Sequence, residues 1–336
     1  MNCCVKCFRD TEIKAIINGL NIKGNCDFCG KRDTYIYEIE TNKIITELFD
    51  GLLDIYTPVS NLPDTFPKKS LDLLKNILHN KWSIFNLEPD CIYKLITYIC
   101  SEKYKERPEL FDGPVGILET IQEDYLEKYS LLRTFQWDDF VNEIKCKNRF
   151  HTNYINKDVL KLFLGYARKS YKAGAVFYRA RICQNENGFD STEMGAPPTN
   201  LATAGRANPE GISCLYLSNS EKTTLHEIRA GIYDYVTIAE FTLLKDIEVV
   251  NLAEIDKISP FLGIDYTQLA INIDHLKKIS NEIAKPLRRH DSTLDYLPTQ
   301  YVSDYIKHLN YDGIEYISTM CVYRIIRTAI PEASGH

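Results

Sequence analysis

Two C-x2-C pairs, Cys4 with Cys7 and Cys26 with Cys29, constrain the start of the chain more than any other feature. Two residues between cysteines let a tight turn aim both sulfurs at one ion, and the separation of the pairs fits the two knuckles of a zinc ribbon. Gly30 after the second pair supplies the backbone freedom that such a turn uses. Cys3 is an alternative to Cys4, and the spacing favours Cys4. Four thiolates close a tetrahedral site and leave no position for substrate water, so Zn2+ is expected in a structural role. The ribbon is predicted over residues 1–41, with Ile13, Ile16, Ile17 and Leu20 on one face of a short helix and a strand at 35–39.

Composition narrows the partners. The chain has 336 residues, a net charge of -6, 44% apolar residues and 26% charged residues, a soluble globular profile. That charge argues against a surface that coats nucleic acid or anionic membrane. Residues 1–36 hold six Lys or Arg against four Asp or Glu, too even a balance to predict nucleic acid binding. No apolar run approaches the roughly 18 residues of a membrane span, and MNCCVKCFRD lacks the apolar core of a signal peptide. A cytoplasmic location is expected, and there the 11 cysteines are thiols and metal ligands rather than disulfides. The terminal PEASGH is set aside as a small polar tail.

A helical domain is predicted over 42–148. Ile45, Leu48, Phe49 and Leu52 form one stripe, Leu71, Leu74, Ile77 and Leu78 another, and CIYKLITYIC at 91–100 continues the period. Proline and glycine in NLPDTFPKK and FDGPVG punctuate it. An RNase arrangement in which Arg precedes His by about five residues is absent, so His79 and Trp137 are read as packing or surface residues. The domain is expected to scaffold, dimerise or regulate.

The pattern changes near residue 149. A helix at 157–171 precedes the strand AVFYRAR, which ends in positive charge; a long polar loop follows, then the strand ISCLYLS at 212–218. The segment SEKTTLHEIRAG reads as a helix with Asn219 or Ser220 as N-cap, Leu225 and Ile228 facing the core, and Gly231 as the stop. Glu227 falls at the rim of that apolar side, and His226 points away to the surface. G-x-G-x-x-G, Walker A and H-E-x-x-H motifs are absent, which leaves hydride-transfer, P-loop and zinc-protease readings unsupported.

FYRAR (177–181), GRANPEGISCLYLS (205–218), TTLHEIR (223–229), LPTQYVSDYIK (297–307) and YDGIEYIS (311–318) occur in that order. Together they resemble the RES domain family, the toxin half of many bacterial toxin-antitoxin pairs. The N-terminal half resembles the extra domain of the HEPN/RES branch. The implied architecture is α+β: a zinc ribbon and helical domain, then a mixed α/β RES domain over 149–330 similar to diphtheria-toxin-like ADP-ribosyltransferases.

The resemblance implies NAD+ as substrate, consumed by phosphorolysis or hydrolysis, in a toxin or defence effector. Transfer of ADP-ribose to protein is one alternative, and a zinc-ribbon binding module with an inactive RES-like domain is another. Cleaving the nicotinamide-ribose bond builds positive charge on the ribose beside a dianionic pyrophosphate. Arg179 and Arg206 are expected on the pyrophosphate, Tyr216 on nicotinamide or ribose, Glu227 at the ribose cation or as base, and Ser318 on a phosphate or ribose oxygen. Gln300 occupies a motif position with its role open. Ala207 stands where the family more often has an aromatic residue, implying a weaker stacking wall. Inorganic phosphate, an antitoxin or other inhibitory protein, and a second copy of the chain are the partners expected alongside NAD+.

Overall fold

The computed structural model describes residues 1–285 and 292–317 and the backbone of a strand at Arg324–Thr328. The chain is α+β and divides into two compact units, residues 1–130 with 257–273 and residues 131–256 with 274–336.

The first unit begins with β1 (Asn2–Cys4), β2 (Lys23–Gly24) and β3 (Thr34–Glu38), an antiparallel sheet in the order β1-β3-β2. The helix Thr11–Gly19 is capped by Asp10, whose carboxylate accepts the Ile13 N–H at 2.9 Å, and it buries Ile13 and Ile17 as the spacing predicts. Helices Ile44–Leu53 and Pro89–Ile99 follow the predicted stripes.

The stripe expected at Leu71–Leu78 does not form one helix. Asp72 Oδ1 accepts the Leu73 N–H at 2.7 Å and an Asn76 side-chain N–H at 2.8 Å, a local bonding pattern that competes with helix start. The backbone at Asp72–Leu73 instead becomes β5, paired with β6 (Pro114–Gly116), which also pairs with β4 (Thr57–Pro58). The mainly helical middle therefore carries a small sheet.

The second unit is built on seven strands: β7 (Arg168–Tyr171), β8 (Val176–Cys183), β9 (Leu215–Ser218), β10 (Tyr235–Thr242), β11 (Ile247–Asn251), β12 (Gly313–Ile317) and β13 (Arg324–Thr328). Their order is β10-β8-β9-β13-β12-β11-β7; β11 and β12 run parallel, and the other pairs among the described residues are antiparallel. Phe177, Leu215, Leu217, Ile247 and Val249 form its buried cluster.

The helix expected at 157–171 stops at Tyr166, and Arg168–Tyr171 runs as an edge strand. Tertiary bonds decide this. The Asn251 N–H donates to Ala167 O at 2.8 Å, and Lys169 and Tyr171 reach the fully buried Glu315, at 2.8 Å from Nζ and 3.0 Å from the phenol. Among the described residues no helix is long and apolar enough to cross a membrane.

Candidate active site and cysteine quartet

Strand β9 sends Leu215 and Leu217 into the core and therefore turns Tyr216 to the opposite face. The predicted strand start at 212 moves to Leu215, after a turn in which Gly211 adopts φ 78°. The following helix, Glu221–Glu227, is capped by Ser220, whose Oγ accepts the Thr223 N–H. It ends earlier than the predicted stop at Gly231: Ile228 caps it and Arg229 turns left-handed at φ 54°. The fully buried side is Thr223 and Thr224, while Leu225 and Ile228 are half-buried and His226 is exposed. Glu227 thus closes the helix at its C-terminal end.

Arg179, Tyr216, Ser218, Thr224 and Glu227 line one cavity of about 250 Å³. Arg206 approaches from the preceding loop, its Nη2 3.8 Å from Glu227 Oε2, with its guanidinium 5.5 Å from the Tyr316 ring centre. Glu227 Oε1 is buried and makes no hydrogen bond among the described residues. Burial raises the Glu227 carboxyl above its ordinary range, and the charges of Arg206 and Arg229 pull the other way without cancelling it. The sequence places Arg206 and Glu227 in separate roles; the structure joins them as an ion pair.

Arg179 is engaged differently from the expectation of a free anion clamp. Its Nη1 donates to Met194 O at 2.8 Å and also to Gly195 O. Arg181 donates to Glu193 O at 2.6 Å and stacks 3.9 Å over the Phe189 ring, so two arginines of β8 hold one loop. Burial, with Arg181 nearby, lowers the Arg179 pKa from its ordinary value. Ser318 lies outside the described residues.

Asn208 is the residue that sequence reasoning passed over. It is 3% exposed, accepts the Tyr216 hydroxyl at 2.6 Å, and donates to the carbonyls of Thr203, Pro209 and Ile212. Gly205 is required by the same packing, because a Cβ there would lie 2.5 Å from the Tyr216 hydroxyl oxygen. The Asn of GRANPEG is a residue type common in turns, so its spacing alone does not single it out.

In the first unit, Cys4, Cys7, Cys26 and Cys29 bring their sulfurs within 4.8 Å of one another. The closer pairs are Cys4 with Cys7 at 3.8 Å, and Cys4 with Cys29 and Cys7 with Cys26 at 3.4 Å. A tetrahedral Zn2+ with Zn–S of about 2.3 Å requires sulfurs about 3.8 Å apart, so the quartet fits such an ion. Cys3 is buried but stands outside the quartet.

Comparison with known proteins matches residues 176–327 to the RES domain. Among solved structures, the chain is similar to the crystal structure of the M. tuberculosis MbcT-MbcA toxin-antitoxin complex at 14% identity, with a TM-score of 0.32, over 50% of this chain and 81% of that chain. No curated protein matches the sequence.

Proposed function

With residues 176–327 forming a RES domain, we propose that the chain consumes NAD+ by cleaving the bond between nicotinamide and ribose. The observation that best supports this is Glu227, a carboxylate with one buried unbonded oxygen, paired with Arg206 and lining one cavity with Arg179 and Tyr216. Departure of neutral nicotinamide takes the bonding electron pair with it and leaves positive charge on the ribose. Glu227 stabilises that charge, or takes the proton of the attacking group; a carboxyl shifted upward by burial is a better proton acceptor than an ordinary one. Arg206 and Arg179 hold the pyrophosphate, Tyr216 stacks on nicotinamide, and Ser318 binds a phosphate or ribose oxygen.

A cavity of about 250 Å³ is smaller than the roughly 300–1,000 Å³ of whole-ligand pockets. It suits the nicotinamide-ribose end. Pyrophosphate binding at Arg179 then exchanges the loop carbonyls of Met194 and Gly195 for phosphate oxygens. Phosphate as acceptor yields ADP-ribose 1''-phosphate, water yields ADP-ribose, and a protein acceptor becomes labelled. Because NAD+ is shared by central metabolism, an inhibitory partner is part of the proposal, as in a toxin or defence effector. Cys4, Cys7, Cys26 and Cys29 are proposed to hold a structural Zn2+ in a ribbon over 1–41, ahead of a helical domain over 42–148.

Nicotinamide release from NAD+ by wild type and Glu227→Gln, with and without added phosphate, tests the proposal. The variant is expected to lose about 10²-fold or more of the rate. Equal release by the two proteins sinks the mechanism, and phosphate dependence with formation of the 1''-phosphate selects phosphorolysis.

A further inference from the structure

The helix Leu297–His308 carries Pro298 in its first turn, followed by two buried polar residues, Thr299 and Gln300, 6% and 7% exposed. Both reach the turn that bears Arg206. Thr299 Oγ1 donates to Arg206 O at 2.6 Å, the shorter of its two contacts, with Tyr296 O of the preceding turn at 2.9 Å, while Gln300 Nε2 donates to Gly205 O at 2.8 Å and Asn208 O at 2.9 Å. The turn itself closes through the Gly205 N–H on Asn208 O at 2.8 Å and the Asn208 N–H on Gly205 O at 3.4 Å. Three carbonyls within four residues therefore receive side-chain donors from two adjacent positions of one helix.

We infer that Thr299 and Gln300 are positioning residues for Arg206. An arginine has a long side chain with many rotamers, so a guanidinium held 3.8 Å from Glu227 needs a fixed root as well as a partner at its tip. The tip meets Glu227 and the face of Tyr316, and the root is gripped from behind by the helix. Thr299 and Gln300 are themselves buried, and a buried donor is costly to leave unbonded, which makes the grip specific to one placement of the turn. The inference assigns the open motif position Gln300 a task, and it deepens the NAD+-cleaving proposal on which its kinetic readout rests.

Thr299→Val removes the hydroxyl while keeping the shape, Thr299→Ser keeps the hydroxyl, and Gln300→Met removes the amide donor. In nicotinamide-release assays, Thr299→Val and Gln300→Met are expected to raise KM for NAD+ about tenfold with kcat within about threefold, the pattern of lost substrate grip, and Thr299→Ser to stay near wild type. An unchanged KM accompanied only by a lower melting temperature would make the two residues merely structural and overturn the inference. A second readout needs no NAD+: the Glu227 carboxyl, followed by carbon NMR in glutamate-labelled protein, feels the charges of Arg206 and Arg229. Loosening Arg206 is expected to move its titration midpoint upward in Thr299→Val and Gln300→Met. An unmoved midpoint rejects the positioning role whether or not NAD+ is the substrate, whereas a wild type that releases no nicotinamide but shows the shift rejects only the NAD+ reading.

Discussion

Glu227 is buried at a cost in stability, and that cost has a pH signature. Burial raises its carboxyl pKa in the folded chain above the ordinary 4.5. Between that value and the raised one, the native state binds more protons than the unfolded state, so stability falls as pH rises through the window. Glu227→Gln removes the buried charge with little change of shape. The variant is expected to melt above wild type at pH 7 and to lose that advantage toward pH 4; an advantage that is constant with pH would exclude the buried charge as its cause. Part of the candidate site was legible in the sequence: Arg179, Tyr216 and Glu227, singled out from separate segments, line one cavity, with Arg206 against Glu227. What could not be read was whom each side chain bonds. Nothing in GRANPEG says that Asn208 will take the Tyr216 hydroxyl, and nothing in FYRAR says that Arg179 will donate to carbonyls fifteen and sixteen residues ahead. Those choices belong to loop closure, which local spacing does not encode.

Elements with a strong period came through where local and tertiary preferences agreed. The helix Thr11–Gly19 has its cap and its apolar face in one segment, and β9 has its alternation in four residues. The segment 168–171 shows the opposite case. Its residues continue a helical pattern, yet Lys169 and Tyr171 alternate toward Glu315 two strands away, and the edge position beside β11 pulls them out of the helix. This contact explains a buried acid in the middle of β12, on the face opposite Tyr316. Lys169→Met would leave Glu315 charged in the core without its ammonium. Removing one partner of a buried pair costs about 3–5 kcal/mol, and with the Lys169 side chain 30% exposed the lower end applies, about 3 kcal/mol. Adding Glu315→Gln removes the stranded charge while preserving an acceptor for Tyr171. Denaturant titration should show the double variant recovering part of the loss; a double variant as unstable as the sum of two independent losses would deny the coupling.

At the scale of the molecule, two separate chain segments build each unit, and residues 257–273 return to the first one. Phe261 packs edge-on to Phe49 at 5.3 Å, and the Tyr266 hydroxyl donates to Leu48 O at 3.3 Å. Composition along the chain has no marker for such a return, since an apolar residue advertises burial and not its partner. The cysteine quartet was legible for the opposite reason: metal geometry is local, and two C-x2-C turns specify most of it. Its energetic weight can be argued from the strands it joins. β1 and β3 meet over three residue pairs and β2 adds two, too little sheet to stand alone in water. Cys4 ends β1 while Cys26 and Cys29 follow β2, so an ion bound by the quartet crosslinks both strand ends to the turn at Cys7. Mass spectrometry of the native protein should find one Zn2+ per chain, retained by Cys3→Ser and lost by Cys4→Ser. Chelation of the wild type should make four thiols newly reactive to a disulfide reagent and speed amide exchange in 23–38, because the binding free energy of a structural zinc is folding free energy for the segment it closes. Zinc retained by Cys4→Ser but lost by Cys3→Ser would move the ligand to the neighbouring residue, and exchange unaffected by chelation would leave the ribbon's stability to its helix and the cluster of Phe8, Phe85 and Phe49, whose rings lie 5.2 and 5.6 Å apart.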